Sequence, residues 1–124
     1  MTKLYAVRGA TTIEKDCKSE IEKATIELMQ EIIAKNAIKA DEAVSLIATI
    51  THDIKSVVPV YYIRQNKILG DMPVFCALEP DIQGALPLCI RILLHFQKEG
   101  EHKPVPVYLR GAKVLRPDLK ENHS

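Results

Sequence analysis

The chain contains no run approaching the roughly 18 consecutive apolar residues that a membrane-spanning helix requires, so no segment is expected to cross a bilayer. It has no excess of one charge. Seventeen basic residues against sixteen acidic ones leave a net charge of +1, which gives no sequence-wide attraction to nucleic acid or to an anionic membrane surface. Any anion site must therefore be local. The cysteines are few, Cys17, Cys76 and Cys89, an odd number without C-x-x-C spacing, which points to reduced thiols rather than a disulfide framework or a zinc site. There is no glycine-rich phosphate loop, no cluster of metal ligands and no nucleophile with a base beside it. His52, His95, His102 and His123 are scattered without partners at ligand spacing, so none is a candidate acid or base. In MTKLYAVRGATT the apolar stretch is broken by Arg8 after only four residues, so neither a signal peptide nor an anchor is expected and a cytoplasmic location is the default.

What is present suits one soluble domain. The 124 residues, 47% apolar and 27% charged, predict a single unit over residues 1–118 with a loose tail at 119–124. Leu4–Val7 reads as a strand that ends at Gly9 and delivers Arg8. Ile21, Ala24, Leu28 and Ile32 recur at helical spacing, which predicts a helix capped by Asp16 or Ser19 and ending near Asn36. Ala43–Ile50 is dense in β-branched residues and reads as a buried strand, as does the short apolar run Val74–Leu78. Between them Pro59 opens a short helix that ends near Gln65, with Arg64 in its last turn. A second long helix is predicted from between Asp81 and Gly84 to about Gln97, with Pro87 in its first turn. A long strand is predicted over Val105–Leu115, with Gly111 as a bulge and Pro117 as its stop. The fold class that follows is α+β, a mixed sheet of about five strands with two long helices on one face. The other face, where SLIATI and PVFCAL carry few charges, is expected to pack against copies of itself in an oligomer.

The segment CALEPDIQGALPLCIR carries the candidate chemistry. Arg91 lies in an apolar run, and because guanidinium does not lose its proton in proteins it must meet a permanent anion there. Arg8, Arg64 and Arg116 stand where element ends can aim them at the same place. Four arginines without a nucleophile or a metal point to a small dianionic ligand handled by electrostatics alone. Bland readings stand beside this one: Arg91 and Glu79 as a structural ion pair, Arg8 and Arg116 as solvated surface charges, Cys76 as strand packing, Tyr108 as a core aromatic.

With those residues in view, the chain resembles the AroH-type chorismate mutases, the monofunctional class built as homotrimeric α/β barrels. The blocks VRGATTIEKD, MPVFCALEPDIQGALPLCIR and VYLRGAKVLRPDL occur in the family's order and span almost the whole sequence. The resemblance implies a trimer with clefts between subunits. It also implies conversion of chorismate to prephenate, an intramolecular Claisen rearrangement that uses no cofactor and serves the shikimate-pathway route to phenylalanine and tyrosine. By the same resemblance the catalytic residues are Arg91 at the ether oxygen, Glu79 at the ring hydroxyl, Arg8 on a carboxylate, and Cys76 near the ring. Tyr108 hydrogen-bonds the carboxylate, Val74, Phe75 and Leu115 line the pocket, and Arg64 and Arg116 sit at its mouth.

Val58 stands where the family often has an aromatic residue, and Tyr61 where it often has a lysine. These departures bear on substrate affinity rather than on the chemistry. The tail after Asp118 is short, which reduces any closing role for it. Two other functions fit parts of the sequence. One is a non-catalytic trimer that binds a small carboxylate metabolite and regulates a partner, since trimeric barrels of the Rid imine deaminase type show that such folds serve unrelated chemistry. The other makes Cys76 a nucleophile.

Overall fold

The computed structural model describes residues 1–115. Its elements run β1 (Thr2–Thr12), α1 (Lys18–Asn36), a 3₁₀ turn (Ala40–Glu42), β2 (Ala43–Ile50), α2 (Val60–Gln65), β3 (Val74–Leu78), β4 (Cys89–Glu99), β5 (Val107–Tyr108) and a 3₁₀ helix (Arg110–Leu115). The sheet is five-stranded, in the order β3-β2-β4-β1-β5. β4 is antiparallel to both β1 and β2, whereas β2 with β3 and β1 with β5 are parallel. This is the mixed, five-stranded α+β sheet that the sequence predicts, with one difference in its helices.

The second long helix is a strand. Residues 79–88 form a connection and Cys89–Glu99 is β4, the middle strand of the sheet, in which Ile90, Ile92, Leu94 and Phe96 are buried in alternation with Arg91, Leu93 and His95. Ile90, Ile92, Leu94 and Phe96 alternate with the polar Arg91, His95 and Gln97 as a strand covered on one face requires, and only Leu93 on the other face and Cys89 at the start fill the run enough to look like a buried helix of similar length. One long helix, α1, and the short α2 therefore cover the sheet. The predicted strand over Val105–Leu115 also shrinks, to Val107–Tyr108, because Pro104 and Pro106 remove donors before it and Arg110 adopts a left-handed backbone (φ 51°) after it. β1, in contrast, continues past Gly9 to Thr12, held opposite β4 from the Thr2 and Glu99 pair to the Thr12 and Cys89 pair.

α1 lays Ile21, Ala24, Leu28, Met29 and Ile32, all fully buried, on the face of the sheet that carries Val7, Leu46, Ala48, Ile92, Leu94 and Phe96. Gly9 permits this contact: a Cβ there would lie 2.6 Å from Ile32 Cδ1 and 3.2 Å from Leu28 Cδ1. The helix thus sits directly on β1, and Arg8, one residue earlier, faces the opposite side of the sheet. Neither Asp16 nor Ser19 caps α1. Cys17 occupies the N-cap, while Asp16 accepts hydrogen bonds from the backbone N–H groups of Lys55 (3.0 Å) and Ser56 (3.1 Å) and so ties the β2–α2 connection to the start of α1.

At the other end of α1, the buried Asn36 accepts the Val105 N–H at 2.8 Å and donates to the Val105 carbonyl at 3.0 Å. That pair of bonds fixes the chain just before β5 and brings Tyr108 alongside Ala10 of β1. The C-terminal 3₁₀ helix is held by Arg110, whose Nε donates to Glu27 of α1 at 3.1 Å, and by the Gly111 N–H, which donates to Thr12 Oγ1 at 2.9 Å. Among the described residues, no helix is long and apolar enough to cross a membrane.

Candidate active site

Side chains alternate across each strand, so the residues that face away from α1 can be read from the register. Thr49 of β2 is opposite Arg91 of β4, Arg91 is opposite Ala10 of β1, and Ala10 pairs with Tyr108 of β5. In the adjacent row Phe75 is opposite Ile47, Ile47 opposite Leu93, and Leu93 opposite Arg8. Arg8 and Arg91 are therefore diagonal neighbours on adjacent strands, with Cα atoms roughly 7–8 Å apart, close enough to grip one small dianion. They line an open pocket of about 350 Å³ together with Ile47, Thr49 and Tyr108.

The Arg91 side chain is 40% exposed and the Glu79 side chain 16%. Arg91 Nε lies 2.9 Å from Glu79 Oε2, yet its N–H is not aimed along that vector, so the contact is an ion pair without an aligned hydrogen bond. Arg91 donates no hydrogen bond to any described residue. Glu79 is the first residue after β3, and its backbone N–H donates to the Ile50 carbonyl at 2.9 Å, which extends the β2–β3 ladder by one step. Its carboxylate accepts from Thr49 Oγ1 at 2.6 Å on the same oxygen, Oε2.

The connection from Glu79 to β4 is braced by Asp53. That carboxylate accepts from Thr51 Oγ1 (2.5 Å) and from the Leu88 N–H (2.9 Å), while the Thr51 hydroxyl accepts the Cys89 N–H at 3.0 Å. Burial alone would push the Asp53 carboxyl up, but the hydrogen bonds from Thr51 and Leu88 outweigh it and hold the group below its usual range. An ionised Asp53 thus fixes the start of β4, two residues before Arg91. Two cations on neighbouring strands, a carboxylate beside one of them and no aligned hydrogen bond from Arg91 to any described residue leave positive charge on this face that can meet an anion.

A family model described as chorismate mutase type I matches residues 4–119 of the sequence. The chain belongs to the type I chorismate mutase family. Chorismate mutase AroH of Bacillus subtilis (strain 168) is 36% identical over 117 residues, covering 94% of this chain and 92% of its own. The AroH chorismate mutase of Thermus thermophilus is likewise 36% identical over 116 residues, with 92% and 94% covered. The solved chorismate mutase of Clostridium thermocellum superposes with a TM-score of 0.83 at 35% identity, over 89% of this chain and 98% of that one.

The ten residues expected to form the chorismate mutase site do not all meet within one chain. Arg8, Arg91 and Tyr108 line one pocket, Glu79 contacts Arg91, and Leu115 packs with Tyr108 against the small cluster of Ala10, Cys89 and Ala112. Phe75 shares their sheet face and is 68% exposed. Cys76 and Val74 point to the other face, where they pack against the core under the helices. Arg64 and Val74 line a second pocket, of about 410 Å³, with Lys67 and Asp71. Arg116 lies outside the described residues.

Burial pushes the Cys76 thiol up, and Cys89 beside the pocket is pushed up to about 11 by burial, partly opposed by Arg91. Both shifts run against thiolate formation, the reverse of what an activated nucleophile needs. Sequence reasoning missed Thr49, Ile47 and Lys67. The first two were findable only from the β2–β4 register, and Lys67 only from the fold of the turn after α2.

Proposed function

We propose that the pocket between Arg8, Arg91 and Tyr108 is where the protein carries out the chorismate mutase reaction, with Arg91 as the charge stabiliser. In that rearrangement the ether C–O bond breaks while a C–C bond forms, in one step and with no proton gained or lost. Negative charge builds on the ether oxygen as its bond lengthens. A fixed guanidinium at that oxygen stabilises the transition state more than the substrate, which is the condition for raising the rate. Arg8 and Tyr108 take a carboxylate and hold the enolpyruvyl arm over the ring, which contributes through orientation. Glu79 accepts the ring hydroxyl. The observation that carries this reading is Arg91 itself, fixed on the central strand and donating no hydrogen bond within residues 1–115.

A second copy of the chain completes the cleft in this reading. The C-terminal 3₁₀ helix packs on Ala10 and Cys89 at one end of the face bearing Arg8 and Arg91, and the rest of that face, with no α-helix over it, exposes Phe75, Ile47 and Leu4, an apolar surface suited to burial against another subunit. The second pocket, with Arg64, Lys67 and Val74, opens elsewhere on the chain and supplies the other wall from a neighbour, together with Cys76. A closed homotrimer satisfies both halves at every interface. Lys67 then provides positive charge at the mouth, where Tyr61 has none. We place the protein in the cytoplasm, supplying prephenate for phenylalanine and tyrosine.

The test is an absorbance assay on the purified chain. Loss of chorismate with matching appearance of prephenate supports the enzyme; saturable binding without turnover would instead favour a regulatory binder. Arg8→Ala is expected to raise KM and lower kcat together, and an unchanged kcat/KM removes Arg8 from the site.

A further inference from the structure

We infer that Thr49 is a positioning residue for this reaction, one that holds Glu79 in a side-on pairing with Arg91 and so keeps the guanidinium available to substrate. The inference rests on the reading of the Arg8–Arg91 pocket as the active site. Thr49 lies on β2 directly opposite Arg91 and lines the pocket. Its hydroxyl donates to Glu79 Oε2 at 2.6 Å, the same oxygen that sits 2.9 Å from Arg91 Nε. Both contacts thus fall on one oxygen, and Oε1 takes no hydrogen bond within residues 1–115.

An arginine and a carboxylate left to themselves favour a two-pronged, parallel pairing, because two aligned N–H···O bonds are stronger than one. That arrangement is not what the protein adopts. Here the carboxylate meets only the Nε edge, out of line with its N–H, and the residue that holds it there is Thr49. Besides its ion pair with Arg91, Glu79 has its place at the end of the β3 ladder and this hydroxyl to fix it. Without the hydroxyl, the carboxylate is free to turn onto the terminal guanidinium nitrogens, occupying the N–H donors that the ether oxygen needs and giving up the oxygen that receives the ring hydroxyl.

Thr49→Val tests this, since valine keeps the shape and β-branching that suit a strand and removes only the hydroxyl. The expected result is a fall in kcat of roughly 10- to 100-fold, the scale of a misplaced catalytic group, with KM changing much less. Thr49→Ser, which restores the hydroxyl, should recover most of that loss. In a Glu79→Ala background, Thr49→Val should cost nothing further, because the residue acts through Glu79. Equal turnover by wild type and Thr49→Val overturns the inference, and so does an undiminished additional loss in the Glu79→Ala background, which would mark a purely structural role. If the wild-type chain itself fails to convert chorismate, the active-site reading falls and this inference with it.

Discussion

Replacing Arg91 with alanine is expected to lower kcat by well over the roughly 10²-fold that losing one preorganised donor typically costs, because a full positive charge is lost as well. The size of the effect depends on enclosure. Two unit charges 4 Å apart interact by about 4 kcal/mol at the effective dielectric of a partly enclosed protein site but only about 1 kcal/mol in bulk water. At about 1.4 kcal/mol per factor of ten, the first figure corresponds to nearly three orders of magnitude in rate and the second to less than one. The Arg91 side chain is 40% exposed, a position near the protein surface to which the larger value applies. Arg91→Lys keeps the charge but not the forked donor set and should fall between the two. Steady-state kinetics on purified variants decides the matter, and a kcat for Arg91→Ala within tenfold of wild type contradicts the role given to this residue.

The largest expected loss of stability comes from Phe96→Ala. Phe96 lies on β4, the strand that also carries Arg91, and is fully buried under α1. It stacks with Tyr5 at a centroid distance of 5.9 Å and meets the edge of His102 at 5.5 Å. Truncating a buried phenylalanine costs about 3–5 kcal/mol, through lost transfer energy and the cavity left behind. The cavity cannot close easily, because β4 is pinned by β1 on one side and β2 on the other. Thermal unfolding at matched protein concentration should show a drop of roughly 10 °C or more. A shift of about 2 °C or less contradicts the packing described for this strand.

Local pattern made much of the fold legible. α1 was readable because Ile21, Ala24, Leu28 and Ile32 repeat at helical spacing against a charged opposite face, and all four are buried where that spacing places them. β2 and β3 were readable from their length and their flanking turns, and α2 from Pro59. β4 was not, because Leu93 interrupts the alternation of Ile90, Ile92, Leu94 and Phe96 with Arg91, His95 and Gln97, and its length equals that of an ordinary helix. β5 was not, because its end depends on Asn36 and Arg110, which act from α1 and across to it.

The site shows the same division. Arg91 was singled out as a cation in an apolar run on a supposed helix, and the run proved to be a strand, so its neighbours are Thr49, Ala10 and Tyr108 across the register rather than residues a helical turn away. Arg8 and Glu79 stood out as charges that element ends could bring to Arg91, but their roles, and the choice of Tyr108, came from the family resemblance. Cys76 and Val74 show the limit of that route, since a resemblance names residues without saying which subunit brings them. Alternation along β3 turns both away from Arg91, toward the core under the helices.

The most direct measurement is the structure of the protein in complex with a bicyclic dicarboxylate analogue of the transition state. The account predicts the analogue in the pocket on the uncovered sheet face, its ether oxygen within hydrogen-bonding distance of Arg91 and a carboxylate on Arg8, with Arg64 arriving from a second copy. An analogue bound away from Arg91, or an Arg91 side chain turned out to bulk water beside it, would contradict the account.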